Sequence, residues 1–298
     1  MMRFSEVMRG LALVAGLVAA GQAAAQEKTA PLQWQYFQAD ENGFHRTPVL
    51  LSGEKEAILL DGGFTFSDGK AVAEKIKETG KVLTTIYVSQ SDPDYYFNLR
   101  EIKSVFPDAK IIAAPATVDA INGNVEAKLK VWGPQLKDNG PQSLSDLVLP
   151  EASDVKTLTL EGNEIEIVPA EGMTNRRYLW VPSLKAVFGG VLIGAGEHVW
   201  LADTPDAAQR EAWIKNLDAI AARNPAVVVP AHMVPGSATD VSAIRFTRDY
   251  IAAFDEEAEK AKDSAALIAA MKKRYPDLGG ESSLELGAKV IKGEMQWE

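Results

Sequence analysis

The sequence predicts an α/β protein built as a four-layer αββα sandwich. Apolar strand-like runs alternate with helical patterns, and they do so in two successive half-sets that each contain a hairpin. Some strand runs are continuously apolar, as expected for strands that are covered on both faces. Two sheets that pack against each other, with helices on their outer faces, account for both features.

The first half-set contains five strand-like runs and three helical patterns. Strands are indicated by alternation or by short continuous apolar runs between turn residues, and helices by apolar residues at helical spacing. In chain order the predicted elements are a strand at 32–38, a hairpin of strands at 47–51 and 57–60, a helix at 68–79, a strand at Val82–Val88, a helix at 95–105, a strand at 109–114 and a helix at 116–130.

The second half-set follows a segment from Trp132 to Pro150 in which Gly, Pro, Asn and Ser are scattered among weakly apolar positions. That composition favours a long loop, which acts either as a lid over a pocket or as a surface excursion. The predicted elements after it are a hairpin of strands at Thr157–Leu160 and 164–169, strands at 178–182 and 186–189, a helix at 204–222, a strand at 226–229 and two amphipathic helices from about residue 242.

The N-terminus has the pattern of a secretory signal peptide. Arg3 and Arg9 precede an uninterrupted apolar stretch at 10–20, and a run of three alanines ending at Ala25 offers a cleavage site. The apolar stretch is too short to span a bilayer, and an uncleaved anchor is the alternative interpretation. The predicted division is a signal peptide at 1–25 and a single domain at 26–298, exported to a bacterial periplasm with no membrane span after cleavage.

Charge and cysteine content restrict the function further. Removal of residues 1–25 takes away Arg3, Arg9 and Glu6, so the formal net charge of −10 becomes −11. A surface this acidic argues against binding of nucleic acid or anionic lipid. The sequence has no cysteine, which excludes disulfides, thiolate metal ligands and cysteine nucleophiles. The expected partner is a small-molecule ligand or substrate.

The most informative stretch is an acidic loop directly after the strand Val82–Val88. Its sequence Asp92-Pro93-Asp94 suits a helix start, with Asp92 as the capping residue, Pro93 in the first turn and Asp94 at the positive end of the helix dipole. The end of a strand that leads into a helix is also where ligand sites form in α/β proteins. Both interpretations are compatible.

The order strand, Asp61-Gly62 turn, helix, strand and acidic loop resembles the metallo-β-lactamase superfamily, and the resemblance covers residues from about 32 to 255. In that family the loop carries a His-x-His-x-Asp-His motif that binds zinc. This chain has Gln90, Asp92, Asp94 and Tyr95 at the four ligand positions. Only the aspartate is kept, and Asp92 replaces a histidine with a carboxylate.

Further along the chain, the resemblance implies that Met173 stands at the position of the family's third histidine and Val191 at that of the metal-bridging aspartate. His232 matches the last metal-binding histidine. His198 lies in a stretch similar to a secreted branch of the family, which implies a place near the pocket; a histidine bonded to a backbone carbonyl is the alternative. Asp61 is expected to order its loop, and His45 to be non-catalytic.

These matches imply a degenerate metal site formed by Asp92, Asp94 and His232. It would hold one divalent ion or none. Zinc is the ion that the family implies, whereas carboxylate-rich donors favour iron or manganese.

Two functions remain open. As an exported hydrolase of esters, lactones or amides, the protein would use Asp94 as general base and Tyr95 as a donor to the developing oxyanion. As a non-catalytic ligand-binding or interaction protein, it would use a pocket lined by Gln90, Met173, Val191 and His198. An unrelated α/β fold is the third alternative.

Overall fold

The computed structural model of the protein describes residues 30–297, so the predicted signal peptide at 1–25 lies outside the described part of the chain. The strands are β1 (Gln33–Tyr36), β2 (Val49–Ser52), β3 (Glu56–Leu60), β4 (Val82–Val88), β5 (Lys110–Ala113), β6 (Glu151–Ala152), β7 (Thr157–Leu160), β8 (Asn163–Pro169), β9 (Arg177–Val181), β10 (Ala186–Phe188), β11 (Gly194–Ala195), β12 (Val227–Val228) and β13 (His232–Met233). The helices are α1 (Phe66–Glu78), α2 (Leu99–Val105), α3 (Pro115–Leu136), α4 (Ala207–Ala222), α5 (Val241–Lys260), α6 (Ser264–Arg274) and α7 (Glu281–Ile291).

The first sheet has the order β1-β2-β3-β4-β5-β6. Its first three strands are antiparallel, and β3 to β6 run parallel. Both faces of its central strands are covered: Leu50 and Leu59 pack into a core with α1, α2 and α3, whereas Leu51 and Leu60 face the second sheet. Covering on both faces explains why β2 consists only of buried residues.

The second sheet has the order β12-β10-β9-β8-β7, and β11 pairs with β13 in a separate small sheet. One face of the second sheet packs against α4 to α7, with Trp180 and Val187 meeting Trp213 and Leu217. The other face supplies residues such as Ile165 to the core shared with the first sheet. Three separate cores therefore lie between four layers, and the predicted αββα architecture is confirmed.

The structure differs from the sequence prediction at several places. The predicted helix at 95–105 begins only at Leu99, because Pro93–Tyr95 forms a separate 3-10 turn, and the predicted cap Asp92 makes no capping hydrogen bond. The short strands β6, β11 and β13 were not predicted. A third C-terminal helix, α7, follows the two that were predicted. Gly287, in the interior of α7, interrupts the helical pattern in the sequence. This glycine packs close to Leu201, because a Cβ added at Gly287 would lie 3.5 Å from the Leu201 Cβ. The predicted loop from Trp132 begins as the end of α3, which continues to Leu136 and contains Pro134. Trp132 packs edge-on against Phe64 in the first core, at a centroid distance of 5.4 Å.

None of the helices in residues 30–297 has both the length and the apolar composition that a membrane crossing requires.

Candidate functional site

The candidate site lies where the ends of β3, β4 and β10 meet. Asp61 follows β3 in a left-handed conformation with φ of 65°. Its carboxylate accepts hydrogen bonds from the Ser89 amide at 2.6 Å and the Ser89 hydroxyl at 2.8 Å. The Ser89 hydroxyl oxygen in turn accepts a hydrogen bond from the amide of Gly190 at 2.9 Å. Asp61 therefore links loops from both halves of the molecule.

A buried arginine that the sequence analysis did not single out occupies the centre of this site. Arg46 is 1% exposed. Its Nη2 lies 3.5 Å from Asp61 Oδ2, and its Nε lies 3.4 Å from Asp94 Oδ2. Nη1 donates to the carbonyl of Ala231 at 2.6 Å, and Nε donates to the carbonyl of Asp94 at 3.1 Å. The guanidinium carbon sits 3.6 Å from the centroid of the Tyr95 ring.

These contacts keep Arg46 charged. Burial would lower the pKa of its guanidinium, but the charges of Tyr95, Asp61 and Asp94 raise it above its ordinary value. Burial raises the pKa of Asp61, and the charge of Arg46 opposes this rise. The structure therefore places a permanent organic cation between two carboxylates at the strand ends.

His232 completes one side of the cluster. Its Nε2 lies 3.2 Å from Asp94 Oδ2, and its Nδ1 lies 2.7 Å from the carbonyl oxygen of Phe44. Both ring nitrogens of His232 therefore face protein oxygens. Burial would raise the pKa of Asp94, but the hydrogen bond and charge of His232 and the charge of Arg46 lower it below its ordinary value.

Asp92 points to a different group of charges. It stands at the start of a single 3-10 turn, Pro93–Tyr95, and its side chain makes no capping hydrogen bond. Burial and the nearby carboxylates of Asp203 and Asp94 raise the pKa of Asp92 to about 7, against the opposing charges of Arg176 and Lys128. The carboxyl is therefore about half protonated near neutral pH.

Four polar atoms of the acidic loop are buried without a hydrogen-bond partner among residues 30–297: the hydroxyls of Tyr95 and Tyr96, Nε2 of Gln90 and Oδ2 of Asp94. The Gln90 oxygen accepts a hydrogen bond from the Ser91 amide at 2.8 Å. Buried polar groups in native proteins are normally paired. These atoms are therefore exceptions to that rule.

The remaining predicted pocket residues are dispersed. Met173 and Val191 are half-buried and pack against two different cores, Met173 on the side of α4 to α7 and Val191 on the side of α1 to α3. His198 is buried, and its Nδ1 lies 2.9 Å from the Tyr250 hydroxyl on α5. Burial lowers the pKa of His198. His45 lies 3.0 Å from Glu197.

A second buried arginine joins the two halves of the site. Arg177, at the start of β9, donates to the carbonyl of Ser89 at 3.3 Å and also bonds Thr117 on α3. Asn175 bridges the same elements, since it donates to the Ser91 hydroxyl at 3.0 Å and accepts from Thr117 at 2.8 Å. Desolvation lowers the pKa of Arg177.

The residues at this site do not fit a metal ion. No group of three or more His, Cys, Asp or Glu side chains in residues 30–297 is arranged to hold one. Asp94 and His232 contact each other, but they do not form a three-ligand group with Asp92. The predicted three-ligand site is therefore not assembled. A cation already lies between the carboxylates, because Arg46 supplies it from the loop before β2.

The sequence carried one signal that pointed to a buried cation. Asp61, Asp92 and Asp94 lie at the ends of strand runs, and the family's histidines are missing there. A cluster of buried acids without a metal needs an internal cation, because isolated buried charges are costly. This signal does not say which basic residue supplies the charge, so it could not identify Arg46.

A family model described as the metallo-beta-lactamase superfamily matches residues 42–232. The chain belongs to this superfamily.

Solved structures agree at the level of the fold. A metallo-beta-lactamase from Pontibacter korlensis is 17% identical and superposes with a TM-score of 0.53, covering 76% of this chain and 97% of that one. A metallo-beta-lactamase from Hirschia baltica is 13% identical with a TM-score of 0.50, covering 74% and 92% of the two chains. At these identities the likeness shows the shared fold alone.

Proposed function

We propose that this protein is a small-molecule-binding member of the superfamily in which Arg46 replaces the metal ion as the central cation. The observation that carries the proposal is the burial of the Arg46 guanidinium between Asp61 and Asp94, at 3.5 and 3.4 Å. The signal-like pattern of residues 1–25 supports action after export, in a periplasm.

Arg46 accounts for the altered ligand positions around it. A divalent ion at the same carboxylates would face an adjacent fixed positive charge, and it would have to displace a side chain that also bonds Ala231 and stacks on Tyr95. A guanidinium is always charged and cannot activate a bound water as a metal does. A retained positive charge without metal chemistry is suited to orienting a ligand.

The unpaired atoms of the acidic loop indicate which hydrogen-bonding groups such a ligand would carry. Gln90 Nε2 is a donor, and the Tyr95 and Tyr96 hydroxyls both donate and accept. Since these groups are neutral and buried, a compact polar molecule with oxygen or nitrogen acceptors fits them better than a highly charged one.

Metal-free hydrolysis is a second candidate, and the contact between His232 and Asp94 at 3.2 Å favours it. A histidine oriented by a carboxylate is a common general base, and Tyr95 would donate to an oxyanion. Both His232 nitrogens already face protein oxygens, however, so a water molecule would have to displace the Phe44 carbonyl or Asp94 to reach the ring. This geometry makes binding the better-supported function.

Elemental analysis tests the central proposal. The mature chain, 26–298, is purified without a histidine tag or chelator and incubated with zinc, manganese or iron before desalting. We expect far less than one ion per chain, and no change in melting temperature on addition of a chelator. A double variant, Asp92→Ala with Asp94→Ala, measures adventitious binding. About one ion per chain in the wild type, lost in the double variant, would overturn the proposal.

A substrate screen separates binding from hydrolysis. Chromogenic esters, lactones and amides are offered to the wild type, Asp94→Asn and His232→Gln. We expect equal background rates for all three proteins. Turnover that persists with chelator and disappears in both variants would establish the metal-free hydrolase instead.

A further inference from the structure

The end of the chain returns to the candidate site. After α7, residues 292–297 leave the C-terminal helices, and the Trp297 indole nitrogen donates to Asp203 Oδ1 at 2.8 Å. The Trp297 ring packs edge-on against Trp200 at a centroid distance of 5.1 Å. Lys128 Nζ lies 5.6 Å from the centroid of the Trp297 ring. One side chain thus bridges α3 of the first half and the loop before α4 of the second.

The residues that contact Trp297, namely Trp200, Asp203 and Lys128, form what we call the Trp297 seat. The Trp297 seat lies next to the acidic loop. Asp203, which accepts the indole N–H, also accepts from Trp200 at 3.0 Å and contacts Arg176 at 3.4 Å. Arg176 follows Asn175, whose side-chain amide donates to the hydroxyl of Ser91, the residue before Asp92. Trp297 is therefore connected to the acidic loop through Asp203, Arg176 and Asn175.

The seat has the three contacts that recognise an aromatic ring bearing a donor. Trp200 forms an aromatic wall, Lys128 places a cation near the ring face, and the Asp203 carboxylate accepts the N–H. A charged acceptor gives a hydrogen bond roughly twice as strong as a neutral one. These contacts define a chemical specificity that does not depend on the ring being part of the chain.

Few side-chain contacts fix the segment that carries Trp297. Glu294 is anchored by the amide and hydroxyl of Ser264, at 2.7 and 2.5 Å. Met295 and Gln296 are exposed, and Trp297 itself is only half-buried. Undocking would therefore break one hydrogen bond and two ring contacts while α7 stays in place.

We infer that the Trp297 seat, formed by Trp200, Asp203 and Lys128, is a subsite for an aromatic ring with an N–H or O–H donor, and that the Trp297 side chain is its displaceable internal occupant. The inference deepens the proposed function and rests on it, because it takes the cleft beside Asp92 to bind ligands. A ligand that carries such a ring next to a compact polar group would fill both the subsite and the acidic loop.

Binding of free indole to the full mature chain tests the subsite. A tethered occupant competes at an effective concentration of about a millimolar, so its removal should tighten binding of the same group. In ligand-observed NMR titrations we expect Trp297→Ala to bind indole at least about tenfold more tightly than the wild type. Met295→Ala alters an exposed neighbour in the same segment and should behave as the wild type does.

Two further measurements make the test specific. Adding Asp203→Asn to Trp297→Ala weakens the acceptor and should lower indole affinity, and N-methylindole, which lacks the donor, should bind Trp297→Ala more weakly than indole. Trp297→Phe keeps a ring without the N–H and should give an intermediate affinity. Equal indole binding by the wild type and Trp297→Ala would overturn the subsite. The elemental metal analysis tests the proposed function independently of these titrations. The subsite and the proposed function can therefore fail separately.

Discussion

At the scale of residues, Arg46 is the buried cation at the centre of the candidate site. The guanidinium is 1% exposed and contacts two carboxylates, a backbone carbonyl and the Tyr95 ring. A buried ion pair gives little net stability, but removal of one partner leaves an uncompensated buried charge. The main contribution of Arg46 to stability is therefore that it compensates the buried charges of Asp61 and Asp94.

The substitution Arg46→Met tests this dependence. It keeps an unbranched apolar stem and removes the cation, so we expect the free energy of unfolding to fall by about 3–5 kcal/mol in urea denaturation. Arg46→Lys should be intermediate, because a lysine keeps the charge but cannot reach several acceptors at once.

Arg248→Met is the matched control. Arg248 also pairs with carboxylates, but its side chain is 42% exposed, so its loss should change stability little. Adding Asp61→Asn to Arg46→Met removes one of the stranded charges, and the double variant should lose less stability than the sum of the single variants. If Arg46→Met unfolds at the same urea concentration as the wild type, Arg46 is not the compensating cation.

At the scale of elements, the turn after β10 closes the site from the second sheet. Gly189 and Gly190 have φ of 66° and 71°, a left-handed conformation that side chains disfavour. The amide of Gly190 donates to the Ser89 hydroxyl, which Asp61 also binds. A Cβ added to Gly190 would overlap the carbonyl oxygen of Arg177. The turn therefore needs glycine for both conformation and space.

The substitution Gly190→Ala tests both requirements for glycine, the left-handed conformation and the lack of space for a Cβ. Gly80→Ala is the matched control, because Gly80 has a φ of 67° and no atom within 4 Å of an added Cβ. We expect Gly80→Ala to lose about 1–2 kcal/mol from the conformation alone and Gly190→Ala about 3 kcal/mol or more. Equal losses in chemical denaturation would mean that the chain shifts to make room at the site.

At the scale of the whole molecule, the two halves bring like charges together. Asp92 from the first half faces Asp203 from the second, with Arg176 and Lys128 beside them, and Asp94 follows two residues later. Folding therefore raises the pKa of Asp92 from 3.8 to about 7. The unfolded chain releases this proton at lower pH than the folded chain does.

This difference predicts a dependence of stability on pH. The contribution of Asp92 is fully present below its unfolded pKa of 3.8 and is lost as pH rises through about 7. Asp92→Asn cannot ionise, so its stability relative to the wild type should increase between pH 5 and pH 8, by roughly 2 kcal/mol. Asp108→Asn, at an exposed aspartate, should show no such trend. A constant difference between Asp92→Asn and the wild type across this range would contradict the prediction.

Much of the fold could be predicted from local patterns. The strand Val82–Val88 was predicted with its observed bounds because it is a continuous apolar run followed by turn residues. The helix α7 was missed because Gly287 breaks its pattern, and only contact with Leu201 shows why glycine stands there. At the site, the departure of Gln90, Tyr95 and Val191 from the family's ligand pattern was visible in the sequence, but the position of Arg46 between Asp61 and Asp94 was not.

The sequence by itself determined the order of elements, the family resemblance and the absence of thiolate chemistry, since these follow from periodicity, motif and composition. Only the tertiary structure decided which charges meet. Arg46 and Asp94 lie 48 residues apart in the chain, and Asp203 and Trp297 lie 94 residues apart. Local pattern carries no information about such distances, because packing of the two halves is what brings these side chains into contact and sets the energy of their charges.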